Sequence, residues 1–250
     1  MISLARPPCP IPIMIGAKKK SKMTETALQT DDAPNRCRLV LTLSPGTAPD
    51  KMAAALAEAL TGGDVASVIL FAAGAAERDF QAFCEKCVPL IQAAGAAALI
   101  ADHSQIAGRT KADGVHITGS IADLKDAMNA LSPKLIVGAG AKLSRDDALD
   151  KGELRPDYVF FGRLDGDTHP EAHPKNLEMG EWWASMIELP CIVMGGYLAQ
   201  SVTAVSKSGA EFAAMSAAVF GEGRSPRSEV AQINARLDEA GEFEEAAHAD

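Results

Sequence analysis

An α/β fold, one barrel of eight parallel strands each followed by a helix, is predicted by three observations. From residue 38 onward, short apolar runs alternate with helix-like stretches through eight repeats. The runs are almost continuously apolar, as expected for a parallel sheet buried on both faces. Eight such units within about 200 residues leave only short connections, which suits a closed (β/α)8 TIM barrel. The competing architecture is an open doubly wound sheet. No GxGxxG follows the first run, however, and Ser44-Pro45-Gly46-Thr47 is only a turn.

Arg38 to Leu43 is the first strand, and the Ala/Leu-rich stretch from Pro49 to Leu60 is its helix, with Asp50 favouring the N-terminal end. Val65 to Phe71 is the second strand. The helix from Glu77 to Ala94 is closed by Gly95, the residue type best able to adopt a left-handed C-cap. Ala97 to Ala101 is the third strand, ending at Asp102, and a short helix runs from Ser104 to Arg109. Gly114 to Ile117 is the fourth strand. Its helix, Ser120 to Leu131, starts with Ser120 as N-cap and Asp123 at the third helical position. The fifth strand, Leu135 to Val137, runs into Gly138-Ala139-Gly140, and Ser144 to Asp150 is helical. Tyr158 to Phe161 is the sixth strand, followed by a polar loop from Arg163 to Asn176 and a helix from Leu177 to Ile187. Cys191 to Met194 and Phe212 to Met215 are the last two strands, with Gln200 to Lys207 helical between them. Ser228 to Ala240 closes the fold, and the acidic end from Glu242 to Asp250 is expected to fray.

The organisation is therefore a flexible extension over residues 1–36, a barrel over 37–240 and an acidic tail over 241–250. Residues 1–16 are apolar and precede Lys18, Lys19, Lys20 and Lys22, the reverse of a signal peptide's order. Met23 is an alternative start. At 250 residues the chain can bury one sizeable core. Its net charge of −9 argues against nucleic acid as a partner, without excluding a local basic pocket for a small phosphorylated ligand. No apolar run is long enough for a membrane span. Five cysteines without a framework point to a reducing cytoplasm. Cys84-Glu85-Lys86-Cys87 reads as part of an amphipathic helix, in preference to a metal or redox motif. Homo-oligomerisation is left open.

Barrel active sites lie at the C-terminal ends of the strands. Two of those ends carry the strongest signal. Met194-Gly195-Gly196 and Met215-Ser216-Ala217 are apolar runs that stop at very small residues, which let a backbone approach a ligand and leave N–H groups to point at an anion. Asp102, at the end of a buried strand, must be solvated, paired or metal-bound, and reads equally well as a Mg²⁺ ligand or as a helix N-cap. His116 alternates with Val115 and Ile117, so it faces the other way, as a hydrogen-bonded structural histidine in preference to a general base. The loop from Asp165 to Lys175 holds two His and three acids and reads as a lid over the mouth, with Lys175 or Arg163 able to reach an anion. Ser216 is outside any GxSxG elbow, and no hydrolase triad is arranged around it.

Taken together, these motifs resemble the thiamine phosphate synthase/TenI family of small barrels over about residues 38–222. The resemblance is carried by Leu99-Ile100-Ala101-Asp102, Ala112-Asp113-Gly114-Val115-His116-Ile117, Leu135-Ile136-Val137-Gly138 and Pro156-Asp157-Tyr158-Val159-Phe160-Phe161-Gly162. Met194-Gly195-Gly196 and Gly209-Ala210 leading into Ser216 complete it. It implies the coupling of a hydroxymethylpyrimidine diphosphate to a thiazole phosphate, with Mg²⁺ and release of pyrophosphate. It also implies Asp102 as metal ligand, Lys175 as the catalytic-loop lysine, and Gly195, Gly196, Ser216 and Ala217 as the thiazole-phosphate cradle, with Gly140 and Thr168 completing the substrate-binding set.

The chain departs from the family pattern at the diphosphate end. Where the family carries an Arg and a Lys after the second strand, this chain has Phe71-Ala72-Ala73-Gly74-Ala75. The family's second metal carboxylate is replaced by Thr118-Gly119-Ser120-Ile121 unless Asp123 takes its place, and its serine after the fifth strand is Gly140. The second function to weigh is therefore a non-catalytic barrel that binds a thiamine-related phosphate as sensor or carrier. A third is a barrel acting on another phosphorylated small molecule.

Overall fold

The computed structural model describes residues 36–248, with side-chain surroundings through residue 241. Eight parallel strands close in sequential order into one barrel, β1 pairing with β8. They are β1 Arg38–Leu43, β2 Ser67–Leu70, β3 Ala97–Ala101, β4 Gly114–Ile117, β5 Ile136–Ala141, β6 Tyr158–Phe161, β7 Cys191–Met194 and β8 Phe212–Met215. The outer ring is α1 Pro49–Ala59, α2 Glu77–Ala93, α3 Ser104–Thr110, α4 Ile121–Leu131, α5 Arg145–Gly152, α6 Pro174–Met186, α7 Val202–Lys207, α8 Ala217–Phe220 and α9 Pro226–His248. Among the described residues no helix is long and apolar enough to cross a membrane. The expected flexible extension lies, except for Arg36, outside the described residues.

Alternation along each strand divides the core in two. Leu39, Leu41 and Leu43 face the helices, with Val68, Leu70, Ile100, Val159 and Val193. Val40, Ile69, Leu99, Tyr158, Phe160, Ile192, Met194 and Ala214 fill the barrel interior. Every strand is buried on both faces, the reason the runs read as continuously apolar.

The N-terminal face of the barrel is held by acids that stand just before even-numbered strands. Asp113 accepts from the Ala98 amide at 2.8 Å, Asp157 from the Val137 amide at 2.7 Å, and Glu211 from the Cys191 amide at 2.9 Å. Asp64 pairs with Arg38, which holds its carboxyl below the usual carboxylate range. Two acids of the family-like motifs, Asp113 and Asp157, are thus structural caps at the face opposite the mouth.

Several boundaries differ from expectation; β2, expected over Val65 to Phe71, spans only Ser67–Leu70. β5 runs on to Ala141, so Gly138 and Gly140 are strand residues: pairing with β4 and β6 overrides the low strand propensity of glycine. α6 begins at Pro174, with proline at the first helical position and His173 as N-cap accepting from the Lys175 amide. Lys175 is therefore an exposed helix residue and not part of a loop. The backbone of α9 stays helical through His248 instead of ending at Ala240. The short α8 directly after Ser216 was not anticipated. Other expectations match closely. Gly95 adopts φ +82° after α2, and Ser120 and Asp123 form a reciprocal capping box on α4.

Candidate active site at the barrel mouth

A cavity of about 390 Å³ opens among the ends of β2 to β6. Its walls are Phe71, Ala101, Phe160 and Leu164, and its polar groups are Asp102, His103, His116, Thr118, Lys142, Arg163 and Asp165.

Asp102 sits at φ +56°, a left-handed conformation that a short polar side chain tolerates better than most, and such strain concentrates at functional sites. It does not cap α3, whose N-cap is His103 without a side-chain bond. Instead one carboxylate oxygen accepts from the Thr118 amide at 2.7 Å and the other from the Thr118 hydroxyl. Asp102 also lines the cavity. Asp123 is consumed by the α4 capping box, accepting from both the amide and the hydroxyl of Ser120.

His116 is buried beneath the cavity floor. Its Nδ1 lies 3.0 Å from the Tyr158 hydroxyl, its ring stacks on Tyr158 and meets the edge of Phe160. Burial, opposed by the nearby Asp102 charge, pushes its pKa down to about 4, so the imidazole is neutral at neutral pH. Gly138 makes room for this pair, since a Cβ there would lie 2.0 Å from the Tyr158 ring. Gly140 lines the cavity, and its carbonyl accepts from buried Lys151 at 2.6 Å.

The cations lie on the β5–β6 side. Lys142 follows β5, and Arg163 follows β6 with Asp165 as its partner at 3.0 Å. The β2 end carries none. It is a tight turn in which Ala73 and Gly74 adopt φ +48° and +83°.

Of the residues singled out in the sequence, Asp102, His116, Gly140 and Arg163 line this cavity. Lys175, Thr168, Gly195, Gly196, Ser216 and Ala217 do not. The amides expected to stand free at the β7 and β8 ends are all bonded. Gly195 donates to the Ala214 carbonyl, Gly196 to Ser201 Oγ, and Ser216 and Ala217 to the Asp167 carboxylate. Sequence reasoning placed Thr118 at a strand end and Asp167 in the loop over the mouth, but assigned no binding role to Thr118, Lys142 or Asp167. Lys142 was visible as a charged residue next to the end of β5 and Asp167 as an acid of the β6–α6 loop, but only contacts reveal their partners.

The CxxC motif lies elsewhere. Cys84 and Cys87 are buried in α2, and burial pushes both thiols up to about 12, leaving them unreactive. Among the described residues no cluster of three or more His, Cys, Asp or Glu forms a metal site.

A family model described as thiamine monophosphate synthase matches residues 39–219. The thiamine-phosphate synthase of Rhodospirillum centenum is 32% identical over 200 residues, which cover 79% of this chain and 96% of that protein. The corresponding protein of Hyphomonas neptunium is 36% identical over 185 residues, covering 72% and 84%. Among solved structures, a thiamine phosphate pyrophosphorylase from Pyrococcus furiosus superposes with a TM-score of 0.68 at 21% identity, covering 82% of this chain and 98% of that one. That likeness speaks for the fold alone.

Proposed function

We propose, from the premise that this chain belongs to the thiamine monophosphate synthase family, that its barrel mouth joins a hydroxymethylpyrimidine diphosphate to a thiazole phosphate and releases pyrophosphate. The observation that carries this reading is one cavity in which Asp102 shares the walls with Lys142 and Arg163. Those two cations take over from the basic residues missing at the β2 end.

The diphosphate lies toward Lys142 and Arg163, where fixed positive charge stabilises the departing anion. The bond between the pyrimidine methylene carbon and the diphosphate oxygen breaks, and its electron pair leaves with pyrophosphate. The thiazole nitrogen then supplies its lone pair to form the new C–N bond. Phe71, Ala101, Phe160 and Leu164 keep water from capturing the cation first. Neutral His116 contributes hydrogen bonding at the floor without a charge that would oppose ionisation. The donor set fits Mg²⁺, which needs only one or two carboxylates when ligand phosphates complete its shell. Asp102 would hold it, and the ion would neutralise charge on the leaving group. Gly195, Gly196, Ser216 and Ala217, with Thr168 on the loop above, form the thiazole-phosphate end. Lys175 joins the site only in a conformation that turns the start of α6 inward.

Purified protein given both substrates and Mg²⁺ is expected to release pyrophosphate, with Lys142→Met and Arg163→Met each lowering kcat/KM by about tenfold or more. No release above background would sink the enzymatic reading. The bare β2 end favours a second one, a non-catalytic barrel that holds a thiamine-related phosphate. It predicts tight, phosphate-dependent binding of thiamine phosphate in calorimetry without turnover.

A further inference from the structure

The connection between β6 and α6 lies across the ends of β7 and β8 and is tied down along its length. The Thr42 hydroxyl, from inside β1, donates to the Leu164 carbonyl at 2.7 Å. The Tyr197 amide donates to the His169 carbonyl at 2.8 Å, and the Leu198 amide to the Pro170 carbonyl at 3.2 Å. Gly196 is so closely covered that a Cβ there would stand 2.4 Å from the Pro170 oxygen. At the centre of the loop the Asp167 side chain turns down, only 5% exposed. Its carboxylate accepts from the Ser216 amide at 2.9 Å and from the Ala217 amide.

These are two of the donors assigned above to the thiazole phosphate. A carboxylate and a phosphate cannot share them, because both carry negative charge and both need the same N–H groups. We infer that Asp167 is a tethered anion that fills the phosphate subsite while the β6–α6 loop is docked, so a phosphorylated ligand binds only after the loop lifts. The inference rests on the reading of Gly195, Gly196, Ser216 and Ala217 as the phosphate end. It adds a specificity determinant to that site. A ligand whose terminal group is a neutral alcohol leaves Asp167 in place, whereas a phosphate must displace it. The loop's three backbone anchors set how much of the protein is competent. The apparent affinity for phosphate is reduced by the fraction of molecules with the loop lifted.

The test compares inorganic phosphate and thiamine phosphate binding to the wild type, Asp167→Ala and Asp167→Asn by calorimetry, with thermal melts to confirm folding. Phosphate is expected to bind the Ala variant about tenfold or more tighter than the wild type. The Asn variant, which keeps the size and an acceptor but not the charge, should show the same direction and decides the matter if the Ala variant melts early. Independently, saturating phosphate is expected to speed tryptic cleavage of the wild type after Arg163, at the base of the loop. Equal phosphate affinity in wild type and variants, with unchanged cleavage, would overturn the tethered anion and leave the phosphate end standing. If none of the three proteins distinguishes thiamine phosphate from thiamine, the phosphate end itself is misassigned and the inference falls with it.

Discussion

Gly138 and Gly140 stand two residues apart on β5, yet a methyl group added to each has different consequences. At Gly138 it would lie 2.0 Å from the Tyr158 ring, which is fully enclosed and cannot retreat. Gly138→Ala is expected to cost about 1–3 kcal/mol in urea denaturation. At Gly140 the nearest atom is His116 Nε2 at 3.4 Å, on the cavity side. Gly140→Ala should leave stability near wild type and weaken ligand binding instead. His116 itself sets an acid limit. Its pKa is about 4 in the fold against 6.5 unfolded, so between those values the unfolded chain binds more protons. The stability it contributes is present above pH 6.5 and is lost as pH falls toward 4, on the order of 3 kcal/mol over the window. In metal-free buffer, His116→Gln should flatten that slope; an unchanged slope would assign the acid sensitivity to other groups. The alternation of Val115, His116 and Ile117 was enough to place the imidazole on the inner face. Its partner Tyr158, 42 residues away, was not readable.

At the scale of elements, strands and helices followed from apolar runs and caps, and the errors lay where a neighbour decides the outcome. β5 lengthens because strands on both sides pair with its glycines. α6 starts early because Pro174 and His173 begin it. The acids at the N-terminal face illustrate the opposite case. Asp113 and Asp157 are part of motifs that resemble a functional family, but each caps the strand next door. Asp157→Ala leaves the Val137 amide unpaired and is expected to destabilise by about 1–3 kcal/mol in chemical denaturation. Thiamine phosphate affinity should not change, since the residue lies at the far end of the barrel from the cavity. A loss of affinity equal to that of a mouth variant would contradict the separation of the two faces.

The whole molecule brings five consecutive strand ends around one cavity, so a ligand there ties together units that are distant in sequence. Mg²⁺ with pyrophosphate, at about a hundred times its Kd, is expected to stabilise the fold by about 2.7 kcal/mol. For a chain of this size that is a rise in Tm of roughly 5–10 °C. Asp102→Asn should lose that rise while melting near the wild-type temperature without ligand, and an undiminished rise would remove Asp102 from the metal site. The sequence by itself determined the barrel and the order of its elements, because buried parallel strands and helix caps leave a local imprint. Only the tertiary structure decided which charges meet. The small strand ends read as open anion donors, since nothing local in Gly195-Gly196 or Ser216-Ala217 announces a partner. Asp167, 49 residues before Ser216, takes the Ser216 and Ala217 amides from a loop that folds over them, while the Gly195 and Gly196 amides go to the Ala214 carbonyl and Ser201 Oγ. Pairing across such a separation depends on barrel closure, which no local pattern encodes.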